Sequence, residues 1–180
     1  MVTFDRFLAV VGFFRSSGYF KLRKELGDIS EIKILVGINI DDIFRKHNKA
    51  LLMLADEEKA KAIYQDDFKE DIIQARYAPE IEEGILQMCD DLVSGRLQMR
   101  IHATKNLHAK FYLCLPQHHS EHSDGWVIMG SSNISESGLG VSQAPRYELN
   151  VAMKDYDDVR YCYDEFKPYG MKQFHLRQMT

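Results

Sequence analysis

The 180-residue chain reads as an α/β protein, with a central mixed β-sheet flanked by helices on both faces. Three observations predict this. Two continuous apolar runs, Phe7 to Phe14 and Glu31 to Ile38, are rich in β-branched and aromatic residues, as strands buried on both faces are. The residues between them suit a short helix, and strand–helix–strand favours parallel pairing under covering helices. Further on, Ile81, Ile85, Met88 and Leu92 recur at the spacing of one helical face, and past Gly95 the apolar period drops to two.

In chain order, Phe7 to Phe14 is the first strand. Asp5 and Arg6 precede it and Arg15 follows; with no basic leader and no small-residue cleavage site it is not the core of a signal peptide. Ser16, Ser17 and Gly18 read as a turn, followed by a helix over Tyr19 to Leu26 that Gly27 stops. Glu31 to Ile38 is the second strand. Asp41 to Tyr77, rich in Ala, Leu, Lys, Glu and Asp, reads as helical with a break near Gln65–Asp66 and a solvated charged face. Pro79 suits a helix first turn, and Gly95 lies just past that helix's end. Leu97, Met99 and Ile101 then alternate with Gln98, Arg100 and His102, so one strand face is apolar. Lys105–Asn106 reads as a turn, Leu107 to Leu115 as a strand, and Gln117 to Asp124 as a polar loop. Trp126 to Met129 and Tyr147 to Met153 are the last strands, and Asp155 to Phe166 is a helix.

Lys and Arg number 23 against 27 Asp and Glu, for a net charge of −4, with 45% hydrophobic and 28% charged residues. That composition excludes disorder, collagen and coiled coil. One domain of this length buries roughly 70% of its unfolded surface, so a core forms without metal or disulfide. Mild acidity excludes an overall positive coat, but not a local basic cleft. Cys89, Cys114 and Cys162 form no disulfide framework, which points to a reduced, cytoplasmic chain. No apolar run approaches the roughly 20 residues of a membrane helix.

Three segments carry chemistry. His108 and Lys110, Ser131 and Asn133, and Glu148 and Asn150 are each separated by one residue at or beside an expected strand, and in extended chain such pairs point the same way. The residue types suit a phosphodiester. A histidine can attack phosphorus, and a second, protonated, can donate to a leaving oxygen. Lys110 and Asn133 can stabilise charge growing on the phosphoryl oxygens. Glu148 can hold an imidazole in one tautomer. Gly130 permits close backbone approach, and Ser131 and Ser132 supply donors.

His108-Ala109-Lys110, Gly130-Ser131-Ser132-Asn133 and Glu148-Leu149-Asn150, in that order, resemble the phospholipase D superfamily, whose motif is H-x-K followed by G-S-x-N. The run Val11 to Gly18 also looks like the first strand and turn of its single-motif members. The resemblance implies a phospholipase D-like fold, a histidine that becomes phosphorylated, and no metal or other cofactor. Catalytic roles are implied for His108, Lys110, Ser131, Asn133 and Glu148, with Gly130, Ser132, Asn150 and Arg146 contacting substrate. Since the site needs two motif copies and the chain holds one, a homodimer is implied. Nucleic acid, DNA foremost, is the implied substrate, with no membrane partner. Such domains also accompany helicases and restriction enzymes, so residues 1–180 are expected as one domain that fits the N-terminal part of a longer protein. In one departure, Leu115 stands where the superfamily often has an Asp.

Other readings stand beside this one. The same fold without activity would be a DNA-binding module for a helicase or restriction enzyme. Lipid hydrolysis or phosphatidyl transfer would call for a longer chain, and hydrolysis for an amphipathic membrane-facing helix as well. His118, His119 and His122, with Glu121 and Asp124, invite a metal reading but lack ligand spacing, and a solvated loop is expected. Gly138-Leu139-Gly140 is too short for a dinucleotide fingerprint. Arg96, Arg100, Lys105 and Arg146 are candidates for phosphate contacts.

Overall fold

The computed structural model describes residues 4–27, 29–40, 79–102, 107–143 and 146–169. In order they form β1 (Arg6–Phe14), α1 (Ser16–Glu25), β2 (Glu31–Ile40), α2 (Pro79–Val93), β3 (Leu97–Ile101), β4 (Phe111–Leu115), β5 (Trp126–Gly130), β6 (Asn150–Met153) and α3 (Tyr156–Phe166). A 3-10 turn, Lys167–Tyr169, follows α3. The expected helix at 41–77 and the turn at Lys105–Asn106 lie outside the described residues.

The strands form one open, mixed sheet in the order β3-β2-β1-β4-β5-β6. β1 pairs parallel with β2, and β2 with β3; β4, β5 and β6 add on antiparallel. The apolar runs of β1 and β2 occupy the middle, where both faces need cover, and neighbouring residues of β1 face opposite ways. Phe7, Ala9 and Val11 pack with Tyr19 and Phe20 of α1 and Ile85 and Met88 of α2. Leu8 and Val10 pack with Val159, Cys162 and Phe166 of α3. Helices therefore cover both faces, as the composition of the strands requires. None of the described helices is long and apolar enough to cross a membrane.

Helix α1 starts at Ser16, and so the Ser-Ser-Gly triplet is its first turn and not a separate one. Arg15 is extended, and its carbonyl accepts from Gly18 N–H (3.0 Å) and Tyr19 N–H (3.2 Å), which closes the turn. Gly18 serves packing: a Cβ there would come within 2.5 Å of Ser135 Cα. In α2, Ile85 and Met88 are buried but Ile81 is exposed, and the missing side chain of Gly84 makes room for the Phe20 ring. Gly95 has φ 77° just past α2, the left-handed position the sequence assigned it. Asp155 caps α3 by accepting from Asp157 N–H (3.1 Å).

A polar clasp joins α1, α2 and the start of β3. The buried Asp91 carboxylate accepts from the Tyr19 hydroxyl (2.9 Å), Arg23 Nε (2.5 Å) and Arg96 Nη1 (3.0 Å). Arg96 also donates to the carbonyls of Gly27 and Ile29 (both 2.6 Å), so it is a structural clamp and not a phosphate contact. Burial first, and then the charge of Asp91, hold the Tyr19 hydroxyl protonated far above the usual phenol range.

Two strands are shorter than their apolar patterns. β4 begins at Phe111 and not at Leu107, because its ladder with β1 ends at the Val10–Phe111 pair, after which the β1–β2 register itself shifts. β6 begins at Asn150 and not at Tyr147. Its ladder with β5 stops at Gly130–Asn150, and Leu149 N–H then donates to a side chain, Ser131 Oγ (3.1 Å).

Candidate active site

The strand directions decide where the three motif segments meet. β1, β2 and β3 end at one edge of the sheet; β4 and β6 start there, and β5 ends there. His108 and Lys110 immediately precede β4, Gly130 to Asn133 close and follow β5, and Glu148 and Asn150 open β6. All eight motif positions therefore gather at the carboxyl edge of the parallel strands, where open α/β sheets place their ligands.

Parity sorts them further. Tyr112 belongs to the core on the α1–α2 side of the sheet, and Phe111 and Val127 to the core on the α3 side. Lys110 and Gly130 alternate with Phe111 and Met129, and Asn150 pairs opposite Gly130, so Lys110, Gly130 and Asn150 fall on the α1–α2 side.

Lys110 is 9% exposed although charged. Its ammonium donates to the His108 carbonyl (2.8 Å) and lies 3.5 Å from His108 Nδ1, while the His108 residue itself is exposed. Gly130 N–H donates to the Lys110 carbonyl (3.2 Å), tying the first motif to the second. Ser131 N–H donates to the Leu149 carbonyl (3.1 Å), and Ser131 Oγ accepts from Leu149 N–H, tying the second to the third. Asn150 Nδ2 donates to Ser132 Oγ (2.7 Å). The Tyr112 hydroxyl donates to the Ser132 carbonyl (2.7 Å). Gly130 has no room for a Cβ, which would collide with the Leu149 carbonyl and Asn150 Oδ1.

Ser131, Ser132 and Asn150 are thus cross-braces of the cluster, while the His108 ring, the Lys110 ammonium and the Asn133 amide are its candidate reactive groups. Asn133 Oδ1 accepts from Phe13 N–H (2.9 Å). Because that partner can only donate, the amide's NH2 is the end turned elsewhere. Glu148 is half-buried near the Tyr112 hydroxyl, which burial first and the Glu148 charge second hold protonated well above the usual phenol range. Among the described residues of one chain, the His108 ring has Lys110 and not Glu148 as its hydrogen-bonding neighbour. Arg146 is exposed. Leu115 is fully buried at the far end of β4, five strand residues or roughly 16 Å beyond Lys110.

The histidine loop lies at the opposite end of β4 and β5. Its histidines do not converge: His118 and His122 are exposed, whereas His119 turns inward beside Tyr156, with ring centroids 5.3 Å apart and Ser123 Oγ 3.3 Å from Nδ1. Among the described residues no three His, Cys, Asp or Glu side chains stand close enough to share a metal.

Gly12, the Phe13 amide and Tyr112 also border the motif residues, although the sequence marks the first two only as part of the opening strand. Gly12 did leave a signal, a lone glycine in a solid apolar strand, which marks a close backbone approach. Tyr112 left none, since a strand tyrosine with a core face is ordinary. No family model matches the chain, and no curated protein matches it.

Proposed function

We propose that this chain is a phospholipase D-like, metal-independent phosphodiesterase that cleaves nucleic acid, DNA foremost, as a homodimer. The observation that carries the reading is the convergence of H-x-K, G-S-S-N and E-L-N on one sheet edge, with the buried Lys110 ammonium beside an exposed His108.

In this mechanism His108 Nε2 attacks phosphorus, and the ester oxygen leaves with a proton from the second subunit's imidazole. The phosphohistidine is hydrolysed by a water that the same second imidazole deprotonates. Lys110 Nζ and the Asn133 NH2 meet the charge on the non-bridging oxygens. For Nε2 to attack, Nδ1 must carry a proton and donate it to an acceptor, which the Lys110 ammonium cannot be. The exposed ring therefore turns towards a carboxylate, and Glu148 is the one the motif supplies. One ring must start neutral and its mate charged, so activity is bell-shaped in pH.

Quenching a reaction with labelled oligonucleotide tests this directly. Label should sit on His108, be lost in His108→Ala, and form in the presence of EDTA, with the protein sedimenting as a dimer. Label on Ser131, or cleavage that chelator abolishes and metal restores, would refute the mechanism. Tight DNA binding with no cleavage at all would leave the silent binding module in its place.

A further inference from the structure

Two glycines lie side by side where β1 and β2 shift register, between the Val11–Val36 and Phe13–Asn39 pairs. The backbone leading to His108 crosses directly over them. A Cβ at Gly37 would meet the Gly12 carbonyl oxygen at 2.7 Å and the Leu107 carbonyl oxygen at 3.0 Å. A Cβ at Gly12 would meet the same Leu107 oxygen at 3.1 Å, with Asn133 Oδ1 at 3.6 Å and His108 Cα at 3.8 Å. Gly12 is thus flanked by both the histidine and the asparagine of the site. The next peptide N–H, that of Phe13, is the donor that holds Asn133 Oδ1. Two motif residues 25 positions apart therefore rest on one peptide unit of a third segment, contributed by the central strand.

We infer that the Gly12–Phe13 peptide is the positioning element of the site: Gly12 seats the His108 segment, and the Phe13 N–H aims the Asn133 amide. For its kinetic consequence the inference rests on the phosphodiesterase reading. The directions of movement follow from the ties. Asn133 is held to Phe13, one residue from the change, whereas the Leu107 carbonyl lies outside any strand and is the group that gives way. An added methyl at Gly12 pushes His108 away while Asn133 stays, opening their separation by a few tenths of an ångström. Misplacement on the ångström scale costs about 100-fold in rate. A shift this size should lower kcat by roughly 10-fold and leave KM for a short phosphodiester within about twofold, since ground-state binding is shared among many groups.

The test is Gly12→Ala, with kcat and KM measured separately and the His108 ring and Asn133 side-chain NH2 resonances followed in substrate-free protein. The expected result is a kcat loss with KM retained and both sets of resonances displaced. Replacing Phe13 with its hydroxy-acid analogue removes the N–H without adding an atom, so it serves if Gly12→Ala fails to fold. It should lower kcat and shift the Asn133 NH2 resonance while leaving the His108 ring in place. Resonances and kcat unchanged in folded Gly12→Ala would overturn the inference, as would activity lost only in proportion to unfolded protein. If the wild-type protein hydrolyses no phosphodiester, the functional reading fails alone, and the resonances still decide whether this peptide positions both residues.

Discussion

Replacing Asp91 with asparagine keeps the shape of the clasp and removes its charge. The carboxylate side chain is 6% exposed, while those of Arg23 and Arg96 are 22% and 17% exposed. The substituted amide would retain one acceptor oxygen but present an NH2 towards two guanidiniums, which can only donate, leaving the Tyr19 phenol as the one group of the clasp able to accept from it. Breaking a buried ion pair typically costs roughly 3–5 kcal/mol. Because water reaches both guanidiniums and recovers part of this, about 2–4 kcal/mol is expected here. At this chain length that lowers Tm by roughly 5–15 °C. Tyr19→Phe, which removes one donor and strands nothing charged, should cost roughly 1 kcal/mol. Urea unfolding of the two single variants and the double variant gives the comparison, and the Tyr19–Asp91 coupling should be about 1 kcal/mol. The clasp joins the segments that precede β2 and β3, the sheet edge opposite His108, so turnover per folded molecule should not change. An Asp91→Asn protein within about 0.5 kcal/mol of the parent would refute the view that this carboxylate holds α1, α2 and β3 together.

Gly130→Ala should cost roughly 1–3 kcal/mol by overpacking against Leu149 and Asn150, and should abolish turnover as the third motif is displaced; melts and rates check both. Burial, and then the charge of Arg6, hold the His119 imidazole below its ordinary 6.5, so the unfolded chain takes the proton first as pH falls. Stability from this residue is therefore lost as pH drops below about 6.5, and His119→Gln should flatten the Tm–pH curve there relative to the parent. DNA affinity should fall steeply with salt through counterion release, and His108→Ala should leave that slope unchanged while removing turnover. A salt-independent Kd from titrations at several ionic strengths would count against nucleic acid as the ligand.

Periodicity made the frame legible. The solid runs of β1 and β2, the i, i+4, i+7 spacing of α2 and the alternation of β3 all follow from which faces need cover, and the sequence shows that directly. The motif residues were legible as types and spacings, and the strand directions bring them to one edge. Strand ends were not legible, because they depend on where a neighbour stops: β6 loses its ladder to the Ser131 hydroxyl, which no pattern of apolar residues encodes. The Asp91 clasp was equally hidden, since its donors come from positions 19, 23 and 96. Gly12 was visible as a residue, but what approaches it belongs to a segment nearly 100 positions later.

The central pairing of the sheet joins Arg6 to Leu115, while β1's other edge is filled by β2, its near neighbour in sequence. During synthesis at about 5–20 residues per second, β2 reaches β1 within seconds, but β4 follows only after roughly 4–15 s more. For that interval the nascent chain displays one bare edge of its most apolar strand, a template for pairing with other nascent chains on the same message. Yield should therefore depend on how fast ribosomes traverse the stretch between β2 and β4: synonymous codons that speed it shorten the exposure, and slow ones invite aggregation before the sheet can close.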